Sequence, residues 1–169
     1  GLTAVHITDL SAWCKIKFDD KYSNPTYYAH HLYLNGEEIF NLVIPDGATG
    51  IGDWAFYGCS GLTSVKIPNS VTSIGEDAFY GCSGLTAVHI TDLSAWCKIK
   101  FSSNSSNPTY YAHHLYLNGE EITNLVIPDD ITSIGDYAFY NCSNLTSITI
   151  PDSVTSIGQS AFKSCYGLT

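Results

Sequence analysis

Residues 62–84 read LTSVKIPNSVTSIGEDAFYGCSG, and the apolar positions of this stretch, Leu62, Val65, Ile67, Val71, Ile74, Ala78, Phe79 and Cys82, fit neither a period of 2 nor a period of 3.6 throughout. The first part alternates: Val65 and Ile67 face one way, Ser64 and Lys66 the other, as in a strand with one buried face. Pro68 has no amide hydrogen and ends the ladder, Asn69 and Ser70 turn the chain, and a shorter extended piece, Val71 to Ile74, follows. Gly75 is expected to permit a bend, and Glu76 to Tyr80 is long enough for about one helical turn that carries Ala78 and Phe79 inward. Gly81 to Gly84 brings the chain back to the start of another strand. The stretch therefore predicts one coil of a right-handed parallel solenoid.

The phrase recurs at residues 39–61, 122–144 and 145–167. Residues 1–83 laid over 84–166 without a gap agree at 64 of 83 positions, so the chain is two copies of one 83-residue super-repeat. Each copy ends in two 23-residue phrases and starts with a longer unit, residues 2–38 and 85–121. The expectation is a single solenoid domain spanning residues 1–169. A lone coil cannot bury its apolar column, whereas stacked coils pair equivalent strands in parallel about 4.8 Å apart with like residues over like. Phe56, Phe79, Phe139 and Phe162 are then the core spine, each contributing about 1.5–3 kcal/mol by burial.

The pattern Leu-x-x-Val-x-Ile-Pro-x-x-Val-Thr-x-Ile-Gly-x-x-Ala-Phe-x-x-Cys is carried by IPNSVTSIGEDAFYGC, IPDDITSIGDYAFYNC and IPDSVTSIGQSAFKSC, and more loosely by IPDGATGIGDWAFYGC with Ala48 in place of Val or Ile. It resembles the 23-residue leucine-rich repeats of BspA-like bacterial surface proteins. The resemblance covers the four regular phrases, about half the chain. It implies an α/β leucine-rich-repeat solenoid of short parallel strands and short helical turns, secreted or displayed on a bacterial cell surface, with a role in adhesion or protein recognition.

Composition narrows the function from another side. The net charge is −9, with seven lysines and no arginine, which repels a phosphate backbone and lacks the guanidinium forks that read bases, so nucleic acid is not an expected partner. The apolar runs are far short of the roughly 20 residues that span a bilayer, so no membrane insertion is expected. Methionine is absent even at position 1, as expected of a processed portion of a longer precursor whose targeting segment has been removed. The six cysteines recur at fixed places in the phrases, which is the behaviour of buried free thiols in a repeat core and not of a disulfide scaffold.

The long units open with LTAVHITDLSAWCKI. Leu93, Trp96, Cys97 and Ile99 have approximate helical spacing behind Asp92, an N-cap candidate, and Asp9 stands in the same place in the first copy. After the helix, Asp19 to Tyr22 become Ser102 to Ser105 in the other copy, as expected of an exposed loop. Asn35-Gly36 and Asn118-Gly119 predict type I′ turns, hence two projecting hairpins. Cys14 or Cys97 beside His6 or His89 has the ingredients of a Cys/His site. Duplication of the whole set in one small solenoid points instead to packing, and no catalytic residue is expected. His30-His31 and His113-His114, read as extended segments, point to opposite faces and cannot chelate as pairs. Neither metal nor cofactor is expected.

The leading expectation is a non-enzymatic recognition module for a protein partner. Its candidate ligand surface is the outward strand column His6, Val43, Lys66, His89, Val126 and Thr149, together with Tyr27, Tyr28, Tyr110 and Tyr111 beside the variable loops. A carbohydrate-binding module using coplanar, exposed tyrosine pairs is the first alternative, because aromatic faces also stack on sugar rings. A structural stalk or spacer is the second. Any homo-oligomer is expected to stack end to end, because neither terminus carries a polar cap.

Overall fold

A computed structural model describes residues 1–168. The chain order is β1 (Val5–Ile7), α1 (Leu10–Trp13), α2 (Thr26–Ala29), β2 (Leu32–Leu34), β3 (Glu37–Glu38), β4 (Asn41–Val43), β5 (Gly50–Ile51), β6 (Ser64–Ile67) and β7 (Ser73–Ile74). The second copy repeats it with β8 (Ala87–Ile90), α3 (Leu93–Cys97), β9 (Lys100–Phe101), α4 (Thr109–Ala112), β10 (Leu115–Leu117), β11 (Glu120–Glu121), β12 (Asn124–Val126), β13 (Ser133–Ile134), β14 (Ser147–Thr149) and β15 (Ser156–Ile157).

Like pairs with like. Val65 of β6 stands between Leu42 of β4 and Val88 of β8 in one five-stranded sheet ordered β11-β10-β8-β6-β4, in which all neighbours but β10 and β11 are parallel. A second column of shorter parallel strands runs β5-β7-β9 and, further on, β13-β15. Inward residues of both columns meet the phenylalanines: Phe56 stacks on Phe79 at 5.4 Å and Phe139 on Phe162 at 5.3 Å. Phe56, Phe79 and Phe139 are fully buried, but Phe162 is only partly so, because among the described residues a coil covers it on one side alone.

The third side of each regular coil is not the helical turn expected from residues 76–80. It is a run of tight turns in which Asp77 (φ 50°) and Gly81 (φ 79°) are left-handed. These turns stack through a backbone ladder, Trp54 N to Glu76 O, Phe56 N to Ala78 O and Gly58 N to Tyr80 O, at 2.7–2.8 Å. A helix would keep all of its amides within the coil, whereas this geometry directs alternate ones to the adjacent coil, with Ala55 N and Tyr57 N bonding within the turn. Gly75 likewise differs from expectation. A Cβ there would lie 2.3–2.7 Å from Asp53, so its glycine serves close approach between coils and not a bend.

The long units also differ from expectation in one respect. β2 does not project: it pairs with β1 in parallel, Val5 opposite Leu32, as an ordinary rung, and only β3 returns antiparallel from it. Asn35 (φ 53°) and Gly36 (φ 91°) are both left-handed, as a type I′ turn requires. On the far side of the coil no extra rung exists among the described residues. Gly135 N bonds Cys97 O at 2.9 Å and Trp96 Nε1 bonds Ala138 O at 2.8 Å, so the coil that begins with β8 touches the coil that begins with β12 directly. β10 and β11 therefore widen the strand side by two rungs, about 10 Å, and the sheet ends at β11. No helix among the described residues is long and apolar enough to cross a membrane.

Candidate functional site

Asp9 and Asp92 cap their helices, accepting from Ala12 N at 3.0 Å and Ala95 N at 2.9 Å. The caps aim the following Trp and Cys inward. Trp13, Trp96, Cys14 and Cys97 are buried, as are the other four cysteines, and all six are unpaired. Burial pushes the Cys14 thiol up to about 11 and those of Cys59 and Cys97 up to about 12, which suppresses the thiolate that a nucleophile needs. An open cleft of about 780 Å³ runs past Cys14 between residues 15–19 and 49–54, and no histidine lines it. Among the described residues no three His, Cys, Asp or Glu side chains gather as a metal site.

The histidine pairs are not extended. His30 and His113 are left-handed residues (φ 62°) that terminate α2 and α4, and the ring Nδ1 of His30 lies 3.1 Å from Gly58 O. His31 and His114 reach the returning hairpin strand, with Nδ1 2.5 Å from Glu38 Oε1 and 2.6 Å from Glu121 Oε1 respectively. Asn144 Nδ2 adds a hydrogen bond to Glu121 Oε1 at 2.7 Å, and the Glu121 carboxyl is held below its ordinary value by the His114 hydrogen bond first and the Asn144 bond after it. In the first copy Gly61 stands where Asn144 does, and that third contact is missing.

Because β2 and β10 are rungs, the outward column contains residues that the sequence reading passed over. His6 stacks on Tyr33 at 4.7 Å, and His89 packs on Tyr116 at 4.9 Å. Register places Val43, Lys66, His89, Tyr116 and Glu121 side by side across the five-stranded sheet. His6 lies in the separate β1-β2-β3 sheet and Val126 and Thr149 in the β12-β14 pair, so the expected six-residue column is split in three. The alternation in Leu32-Tyr33-Leu34 matches that of Val5-His6-Ile7, and was the signal available for Tyr33. Beside the hairpin an open trough of about 320 Å³ is walled by Leu34, Ile39, Phe40 and Val43, with Glu37 and Glu38 at its rim. Phe40 and Val43 are exposed.

The four candidate tyrosines stand on α2 and α4, the short helices that precede β2 and β10. Tyr28 is exposed, and Tyr27, Tyr110 and Tyr111 are half-buried. Their rings meet edge-on, at 78° in Tyr27–Tyr28 and 67° in Tyr110–Tyr111, so neither pair offers a coplanar platform. Tyr110 instead stacks on Tyr140 at 9°, and Tyr57 on Tyr80 at 26°. The neighbouring loop 102–105, expected to be exposed, is docked in the second copy: Ser105 is buried and donates to Asp77 of the preceding coil, while Asp19 and Asp20 of the first copy are exposed. In the second copy the loop is thus held by Asp77 of the coil against it.

Stacked parallel rungs, a buried phenylalanine spine and hydrogen bonds recurring at a spacing of 23 residues, such as Thr86 Oγ1 to Thr63 O and Thr155 Oγ1 to Thr132 O, define a leucine-rich-repeat protein. The BspA type leucine rich repeat matches residues 28–113 and 109–169 in 6 copies, and the chain belongs to that family. Similar solved structures include a leucine rich cell surface protein from Faecalibacterium prausnitzii, with 27% identity over 77% of this chain and 46% of that one and a TM-score of 0.40. A leucine rich repeat protein of T. pallidum is 23% identical over 78% of each chain, TM-score 0.35. One from Bacteroides ovatus is 26% identical over 77% of this chain and 48% of that one, TM-score 0.29. The chain spans about half the length of the Faecalibacterium and Bacteroides proteins. No curated protein matches it.

Proposed function

We propose that this chain is a non-enzymatic recognition module, secreted or displayed on a bacterial cell surface, that binds a protein partner through the strand side of a right-handed solenoid elaborated by two hairpins. The observation that carries the reading is the row Val43, Lys66, His89, Tyr116 and Glu121 on one continuous sheet beside the Phe40 trough. It joins apolar, cationic, aromatic and acidic groups on a scaffold that loses little entropy on binding, and an apolar pocket with a polar rim is the anatomy of a protein-binding hot spot. Adhesion is the role that such a face would serve at a cell surface. The edge-on tyrosine pairs favour packing over sugar stacking, which ranks the carbohydrate reading below the protein one. A stalk would have no need of an exposed Phe40.

The test is a binding array of host-matrix proteins and glycans probed with the 169-residue chain, followed by Phe40→Ala, Lys66→Glu and Tyr116→Ala. A protein ligand whose affinity falls at least tenfold in two of these variants supports the reading. A glycan ligand lost in Tyr28→Ala and untouched by the strand-side variants refutes it.

A further inference from the structure

The strand side is interrupted in the middle of the chain. β4 closes the five-stranded sheet and is paired with β6 alone, while β3 closes the three-stranded one. Only two residues, Ile39 and Phe40, link β3 to β4, yet the two strands do not pair. On the far side the same coils touch, with Gly52 N bonding Cys14 O at 2.9 Å. The break therefore comes from the two rungs that the hairpin inserts on one side. β12 stands in the same relation to β11 in the other copy.

Register fixes which backbone groups this break leaves open. Leu42 lies opposite Val65, Thr63 N donates to Phe40 O at 2.7 Å, and Ile44 N donates to Lys66 O at 3.1 Å, so residues 40, 42 and 44 face β6. By alternation Asn41 and Val43 each turn an amide and a carbonyl the other way. Among the described residues none of these four groups has a backbone partner. Two donors and two acceptors, alternating at the spacing of a strand, are complementary to one more extended segment. The side chains around them indicate its chemistry. Phe40 and Val43, 48% and 57% exposed, give an apolar wall. Glu38 is engaged by His31 and Tyr33, whereas Glu37 is exposed at the rim and has no ion pair among the described residues. In the other copy Thr123 stands where Phe40 does, so the same backbone edge lacks the aromatic wall.

We propose that the partner supplies a short extended peptide segment carrying lysine or arginine, which adds to β4 as a strand. Its backbone pairs with Asn41 and Val43, an apolar side chain rests against Phe40, and its cation meets Glu37. Main-chain bonds give such a contact its affinity and the alternating side chains give it selectivity. The inference rests on the protein-recognition reading above and specifies the part of the partner that is taken.

The test uses the 169-residue chain with two labelled probes, a peptide of alternating lysine and valine and one of alternating glutamate and valine. Amide hydrogen exchange is followed residue by residue by NMR. The lysine peptide is expected to slow exchange at Asn41 and Val43, and the glutamate peptide to leave it unchanged. Val43→Pro removes an outward amide that β6 does not use, so it is expected to bind the lysine peptide roughly tenfold more weakly than Val43→Ala, which loses the same side chain and keeps the amide. Circular dichroism checks that both variants remain folded. A lysine peptide that does not bind, binding that leaves Asn41 and Val43 unprotected, or equal affinities for the two variants overturns the proposal. A protein ligand weakened by Lys66→Glu and Tyr116→Ala but indifferent to Val43→Pro overturns it too, and leaves the recognition reading standing.

Discussion

Asn107 is the side chain whose removal is most informative about what binds one coil to the next. It is fully buried, and its amide donates to Tyr137 O at 2.8 Å and Ala138 O at 3.1 Å while its carbonyl accepts from Thr109 N at 2.9 Å. Asn107→Ala takes away all three. Both carbonyls keep another donor, Tyr140 N at 3.0 Å and Trp96 Nε1 at 2.8 Å, so the Thr109 amide is the group left orphaned. Two lost bonds at about 1 kcal/mol each and an unsatisfied buried amide at about 1–3 kcal/mol give a destabilisation of roughly 3–5 kcal/mol. For an m-value of about 2 kcal/mol/M in urea, the lower figure moves the unfolding midpoint down by roughly 1.5 M with m unchanged. Asn107→Asp is nearly isosteric but turns an acceptor toward the two carbonyls, and is expected to cost at least as much. Asn104→Ala, three residues away, loses a 3.4 Å contact to Tyr140 Oη and one local bond, from Ser105 N to its Oδ1 at 2.9 Å, and is expected to cost no more than about 1 kcal/mol. A midpoint shift below 0.3 M for Asn107→Ala, or a neutral Asn107→Asp, would show that this asparagine fills space and does not tie coils together.

Gly61→Asn supplies the first hairpin with the contact that Asn144 makes in the second; its Cβ would sit 3.4 Å from Glu38 Oε1, an ordinary contact, and thermal unfolding is expected to show a gain of about 0.5–1 kcal/mol. Phe79→Ala, between two coils, is expected to cost about 3–5 kcal/mol and Phe162→Ala, covered on one side only, less than half of that, measured by urea titration. The thiols are expected to resist an aromatic disulfide reagent at pH 8 until the chain unfolds. Burial raises their folded values while an unfolded thiol ionises near 9.0, so the unfolded state loses protons first. Stability is then unaffected below pH 9 and declines as pH climbs toward 11–12; a midpoint that holds level to pH 11 would contradict this.

The regular coils were legible because their signals are local and redundant. Val65 and Ile67 alternate, Pro68 ends the strand, and the whole is repeated at a fixed spacing, so one reading serves every coil. Asp9 and Asp92 were equally legible, since a cap needs only an amide three residues ahead. The buried asparagines 24 and 107 were not. Each sits in an SNPT sequence that looks like a loop, and its partners lie 30 and 31 residues away in the following coil.

The sequence by itself determined the repeat, the inward-facing residues and the burial of the cysteines, because each follows from periodicity and short-range stereochemistry. Only the tertiary structure decided where the hairpin goes. Leu32 to Leu34 could project or pair, and the free edge of β1 makes pairing the outcome, which brings Tyr33 and Tyr116 into the outward row and breaks the column in three. The same holds for the turns at 76–80, where stacking on the next coil outbids a helical turn for the backbone amides. It holds for the loop at 102–105 as well, where docking on Asp77 of the adjacent coil buries Ser105. These outcomes depend on what lies one coil away, and no local pattern in the chain carries that information.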